Sequence, residues 1–158
     1  MYETDEIDMN IVAFLMKDGR MPAAEIARLI GNITERVVRY RINRLVEEDV
    51  IHIRPIINPK AFGYTTVADV WLEVDSDCIQ DVAKRLTQFD NVSYVACSIG
   101  ESDISIQVLA RDTSEIYRFV TEKLRKIPGV RKTTTAIVPI ILKDVYEWNL
   151  PINDSSNN

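Results

Sequence analysis

Between Ile30 and Leu45 the chain reads IGNITERVVRYRINRL. Arg36, Arg39, Tyr40 and Asn43 fall there at spacings that share one side of a helix. Arginine chelates guanine edges or grips phosphate oxygens, asparagine chelates adenine, and tyrosine bonds phosphate or touches a thymine methyl. The chemistry on offer is recognition of duplex nucleic acid. A solvated helix face has the same composition, and the helix alone leaves both readings open. A second set lies in SIGESDIS, residues 98–105. Ser98, Ser102 and Asp103 bring hydroxyls and a carboxylate, and Gly100 a close backbone N–H. With Thr133 and Thr135 near them across a sheet, such a set could hold an amino acid by its carboxylate and its ammonium. Gly-x-Ser-Asp is also the composition of an ordinary tight turn.

Charge distribution sharpens the first reading. The chain has 158 residues and formal net charge -5. Arg28, Arg36, Arg39, Arg41 and Arg44 stand against Glu35 alone, so residues 28–44 are locally basic in an acidic protein. That distribution suits one surface aimed at phosphates, not a protein that coats nucleic acid everywhere. Hydrophobic residues make up 46% of the chain, enough for one ordinary domain or two small ones. Cys78 and Cys97 form no CxxC pair and are expected to be reduced thiols of a cytoplasmic protein. With His52 the single histidine, a His/Cys metal cluster is out of reach, and no motif supports a catalytic triad. No nucleophile–base pair or phosphate loop suggests an enzyme. No apolar run approaches the roughly 20 residues that span a bilayer. The acidic start MYETDEIDMN resembles neither a secretory signal nor a transit peptide.

Three helices are needed to present the arginines. Thr4 is placed to cap the first, with Asp5 and Glu6 at the positive end of its dipole. Ile7, Ile11, Phe14 and Leu15 form its apolar stripe. Gly19 is expected to close it in left-handed geometry. Pro22 opens the second helix as its first residue, and Ala23, Ile26, Ala27 and Ile30 form the next stripe. Gly31 stops it, Thr34 starts the third, and Val38, Ile42 and Leu45 face inward. Two helices joined by a short glycine turn are the helix-turn-helix pattern, which presents its second helix to a major groove. Arg41, beside Ile42, is either an internal anchor to an acidic partner or a phosphate contact. Asp49 is expected to end the helix, since Asp tolerates left-handed geometry. Residues 51–63 read as a strand-like hinge, restricted by Pro55 and Pro59, with His52 an exposed linker residue.

The remainder echoes itself at a shift of 38 residues: Val70 with Val108, Ile79 with Tyr117, Val82 with Val120, and Leu86 with Leu124. Each half reads strand, helix, strand. Asp77 with Gln80, and Asp112 with Glu115, have capping-box spacing. Two such βαβ units fit the ferredoxin-like arrangement. Its uncovered sheet face would include Trp71, Gln107, Leu109 and either Thr133/Thr135 or Thr134/Ala136, a mixture suited to a subunit interface.

DGRMPAAEIARLIG, RINRL, DVIH, GYTTVADVWLEV, GESD, IPGV and TTTAIV occur in the order found in the Lrp/AsnC feast/famine regulators, and the chain resembles that family from about Asp5 to Lys143. The resemblance implies an α+β protein: a winged-type helix-turn-helix domain over 1–50, a hinge over 51–63, and a ferredoxin-like βαββαβ domain over 64–147. A polar tail over 148–158 is expected to be disordered at its end. It implies a transcriptional regulator that binds double-stranded DNA as a dimer or an assembly of dimers, needs no cofactor, and responds to a small amino acid. The DNA-binding set would be Thr34, Arg36, Arg39, Tyr40, Asn43 and Arg44. The effector set would be Ser98, Gly100, Ser102, Asp103, Thr133 and Thr135. Three departures stand out: GNIT is one residue longer than the family's usual Gly-Leu-Ser, Pro22 replaces a usual serine cap, and Asp49 replaces a usual glycine. A DNA-compacting protein without effector, or an amino-acid sensor acting on a protein partner, are the alternative functions.

Overall fold

The computed structural model describes residues 2–148, which form two compact units divided between Ile56 and Ile57, with residues 144–148 grouping with the first. Expectations for residues 149–158 of the tail lie outside the described residues.

In the first unit, α1 (Glu6–Lys17), α2 (Ala23–Ile30) and α3 (Glu35–Glu47) close around Ile11, Ile26, Ala27, Val38 and Leu45. Ile7, Phe14, Leu15, Ala23, Ile30 and Ile42 pack against that core, so each apolar stripe faces inward. The cap of α1 is Asp5, not Thr4: Asp5 accepts from the Asp8 N–H, and the Asp8 carboxylate accepts in return from the Asp5 N–H. This is a capping box with Asp in place of Glu. Gly19 is not left-handed. Asp18 closes α1 in extended geometry, its N–H donating to the Phe14 carbonyl. Pro22 precedes α2 as its cap position and offers no side-chain bond. Gly31 and Asn32 both take positive φ, 72° and 54°, and turn the chain into α3. Thr34 Oγ1 then accepts from the Val37 N–H. Asp49, at φ 58°, ends the helix as expected. Residues 51–58 form no strand, so the connector between the units lacks the strand character expected of it, and no strand lies before Thr66 among the described residues. A 3-10 turn, Pro59–Phe62, follows.

The second unit is a four-stranded antiparallel sheet in the order β2-β3-β1-β4. Its elements are β1 (Thr66–Val74), α4 (Ile79–Leu86), β2 (Val92–Cys97), β3 (Ile104–Ala110), α5 (Thr113–Arg118) and β4 (Val130–Val138). This is the βαββαβ ferredoxin-like order. A π-turn and a 3-10 turn carry the chain from α5 through Lys126. Alternation puts Val70, Leu72, Val74, Ile104, Ile106 and Val108 under the helices, where Val82, Leu86, Val120 and Leu124 meet them. The 38-residue echo is therefore largely an echo of core positions, except at Tyr117, which is exposed. Asp112 caps α5, and Glu115 reaches back to the Arg111 N–H. Asp77 caps nothing; Cys78 occupies the cap position of α4 without a side-chain bond. Both cysteines are free thiols. No described helix is long and apolar enough to cross a membrane.

Candidate nucleic-acid and ligand sites

The arginines of α3 divide by direction. Arg41 turns inward: its Nη1 lies 2.7 Å from both Asp5 carboxylate oxygens and 2.9 Å from Asp8 Oδ1. Asp8 is 1% exposed and also accepts from the Tyr2 hydroxyl at 2.6 Å. Arg41 thus anchors α3 to the start of α1, which decides between its two readings. The hydrogen bond from Arg41 holds the Asp5 carboxyl below its usual range, and Asp5 in turn raises Arg41. Bonding to Asp8 pushes the Tyr2 phenol up.

Arg36, Arg39, Tyr40, Asn43 and Arg44 all remain exposed. Arg39 Nε donates to Glu35 Oε1 at 2.9 Å, one turn back. Such exposed helix pairs contribute a few tenths of a kcal/mol, so the pair opens readily for a stronger anion. Arg44 stacks on the Tyr2 ring, 4.5 Å from its centroid. The result is a cationic face with hydrogen-bonding tips on the second helix of a helix-turn-helix. Thr34 is exposed at the head of that helix, its hydroxyl oxygen used in the cap. Tyr2 was not among the expected residues, because it lies ahead of any periodic segment. The run of aromatic and acidic residues at 2–8 was its only signal.

The effector set is less unified. Ser98 Oγ donates to the Ser102 carbonyl at 2.8 Å. Asp103 extends the β3 ladder: its N–H donates to the Leu72 carbonyl, and its Oδ2 accepts from the Val74 N–H at 2.7 Å. Arg131 Nη2 lies 3.9 Å from the same oxygen. Asp103 therefore fixes the turn, and its Oδ1 stays outside those bonds. Gly100 has φ 153°, a conformation that disfavours side chains, but a Cβ there would meet nothing within 4 Å. The space beside its backbone is open, so a partner could approach it closely.

Register settles the two threonine alternatives. Thr133 pairs with Leu72 and Thr135 with Val70, both core-facing, so these threonines lie on the helix side. Thr134 and Ala136 pair with Trp71 and Asp69 on the open side. Within one chain Ser102 and Thr133 line different depressions. One, of about 290 Å³, is lined by Trp71, Glu73, Glu101, Ser102, Lys132 and Thr134. The other, of about 300 Å³, is lined by Arg125, Val130, Arg131, Lys132 and Thr133. The chain does not gather all six effector residues into one cavity.

On the open face, Gln107 Nε2 donates to Asp69 Oδ1 at 3.2 Å. Trp71 and Tyr94 are 38% and 50% exposed there, with Leu109 half-buried.

Residues 5–46 match the AsnC-type helix-turn-helix domain, and residues 67–147 match the Lrp/AsnC ligand binding domain. The chain belongs to the Lrp/AsnC family. It is a transcriptional regulator of that family with a ligand-binding domain, and not an enzyme. An uncharacterized HTH-type transcriptional regulator of Pyrococcus horikoshii is 39% identical over 145 residues, covering 91% of each chain. AsnC of Escherichia coli superposes with TM-score 0.82 at 23% identity, covering 92% of this chain and 99% of that one. A transcriptional regulator of Neisseria meningitidis, solved as its L-Met complex, superposes with TM-score 0.85 at 18% identity, covering 94% and 98%.

Proposed function

We propose that this regulator binds double-stranded DNA sequence-selectively through the outer face of α3, and that a small amino acid modulates its binding or assembly. One observation carries the first part: with Arg41 spent internally, the side chains left outside are those that read base edges and phosphates. Arg36, Arg39 and Arg44 supply charge, Tyr40 and Asn43 directional bonds, and Thr34 sits where the helix begins. The protein acts in the cytoplasm, where its target duplex would be.

The open sheet face supports self-association. Val67, Trp71, Tyr94, Leu109, Ala136 and Val138 share it by register, with the Asp69–Gln107 bond at its centre. A face this mixed is too apolar to favour water throughout and suits a dimer.

Effector binding joins the loop from Ser98 to Asp103 with the Thr133/Thr135 side of a second copy. The support is that Ser102 and Thr133 line different depressions of one chain, which a second copy could bring together. Asp103 Oδ1 would take the ammonium, while the Gly100 N–H and the Ser98, Ser102, Thr133 and Thr135 hydroxyls offer donors for a carboxylate. The L-Met complex of the Neisseria relative is in keeping with an amino-acid ligand. No cofactor enters this reading.

The test is duplex binding measured against salt, with and without each common amino acid. Salt-dependent, sequence-selective, ligand-sensitive binding is expected. Equal binding to all sequences with no ligand response would instead identify a compacting protein. No duplex binding, with a ligand-induced thermal shift intact, would identify a sensor acting on another protein.

A further inference from the structure

One ten-residue stretch of the ligand-binding unit gathers five of its cationic side chains. KLRKIPGVRK, residues 123–132, holds Lys123, Arg125, Lys126, Arg131 and Lys132 with no carboxylate among them. The 3-10 turn Leu124–Lys126 and the turn at Pro128 and Gly129 fold this stretch back on β4. Arg125 Nε thereby donates to Thr133 Oγ1 at 3.2 Å. These residues enclose the depression of about 300 Å³, whose lining is Arg125, Val130, Arg131, Lys132 and Thr133. That lining contains no acidic side chain.

The three cations are not equivalent. Arg131 is answered by Asp75 at 3.5 Å and Asp103 at 3.9 Å, and it donates to the Val74 carbonyl. Lys132 is answered by Glu73 at 2.8 Å. Arg125 pairs with no carboxylate among the described residues. Its single protein bond, to Thr133, fixes one edge of the guanidinium. The remaining N–H groups form a planar fork that matches a carboxylate bidentately. The other depression has the opposite character, with Glu73 and Glu101 against Lys132.

We infer that the effector of this protein is acidic, an amino acid or related molecule whose side-chain carboxylate is received by Arg125 in the depression beside Thr133. The inference rests on the proposed effector reading, which places Thr133 in the site, and goes beyond it by naming the ligand's charge. An uncompensated guanidinium favours an anion and repels a lysine-like side chain. A neutral side chain would leave the fork without a partner. Arg125 is then a specificity-determining residue.

The experiment is a calorimetric titration and thermal-shift series on the full chain with L-glutamate, L-aspartate, L-glutamine, L-lysine, 2-oxoglutarate and inorganic phosphate. The expected result is saturable binding of L-glutamate or L-aspartate, at least about tenfold tighter than L-glutamine or L-lysine. Arg125→Ala should abolish that preference and Arg125→Glu should invert it towards L-lysine. Arg125 is exposed, so both variants should melt near the wild type. A response to 2-oxoglutarate equal to that of L-glutamate would support the carboxylate contact while showing that the ammonium is not read. Preferred binding of neutral or basic amino acids by the wild type would overturn the inference and leave the broader effector reading standing. An unchanged acidic preference in a folded Arg125→Glu protein would overturn the role of Arg125. Response to inorganic phosphate alone, or to none of the six, would overturn the acidic-effector inference, and the broader effector reading would then stand or fall on the remaining common amino acids.

Discussion

Arg41 of α3 reaches Asp8 of α1 at 2.9 Å, and Asp8 is almost fully buried. The same guanidinium nitrogen holds the two oxygens of Asp5, the residue that caps α1. One arginine therefore joins the start of the first helix to the middle of the third and sets how α3 stands in the domain.

Removing that arginine should be costly. Arg41→Ala leaves the Asp8 carboxylate buried with only the Tyr2 hydroxyl and the Asp5 N–H as partners. Breaking a buried pair from one side costs about 3–5 kcal/mol, and the partly exposed Arg41 places the expected loss at the lower end. Denaturant unfolding of the variant checks this. Arg36→Ala, on the outer face, should change stability by less than about 0.5 kcal/mol.

The depressed Asp5 carboxyl gives the first unit a pH dependence. A group whose folded pKa lies below its unfolded value contributes stability above the ordinary aspartate range, near 3.9, and that contribution is lost as pH falls through the folded value. Acid titration should therefore weaken the α1–α3 contact below about pH 4. Asp5→Asn should flatten the slope over that interval, read from unfolding curves at several pH values. Asp5 is half exposed, so the effect should be modest.

Asp103 serves the turn through Oδ2 and is proposed to serve the ligand through its charge. Two substitutions separate the roles. Asp103→Asn keeps an acceptor for the Val74 N–H, so the fold should hold while amino-acid affinity falls more than about tenfold. Asp103→Ala should lose both, with a stability cost of about 1–3 kcal/mol. Unchanged affinity in a folded Asp103→Asn protein would remove Asp103 from the site.

The open sheet face predicts an assembly. Trp71→Glu puts a charge where the proposed dimer would bury an aromatic ring. Light scattering of the full chain should give a dimer or larger species for the wild type and a smaller species for the variant. A monomeric wild type at micromolar concentration would end the argument.

Much of this architecture was legible in residue order. The three apolar stripes of the helical unit, the Thr34 cap and the Asp49 stop follow from periodicity and local chemistry, and each stands as expected. Other features did not yield, three of them instructive. The Asp5 cap competed with Thr4, and only the reciprocal bond from Asp8 decides between them. The β-prone run at 50–57 finds no ladder partner among the described residues, and Pro55 removes a donor within it, so propensity alone did not make a strand. The side taken by Thr133 depends on pairing register, which shifts at Glu73/Val74 beside Arg131. A slip of one residue reverses every side chain on a strand, and nothing local in TTTAIV specifies the choice.

The central claim is that the outer face of α3 reads DNA. Its most direct measurement takes duplexes selected by the wild type from a random pool and determines affinity against salt for wild type, Arg39→Ala and Asn43→Ala. Arg39→Ala should weaken binding by about 1–3 kcal/mol if it contacts a base, or weaken all sequences alike with a salt slope smaller by about 1 if it contacts phosphate. Asn43→Ala should relax the preference at one base pair while the salt slope stays nearly constant. A wild type that selects no sequence, or folded variants that match it in affinity, preference and slope, would contradict the account.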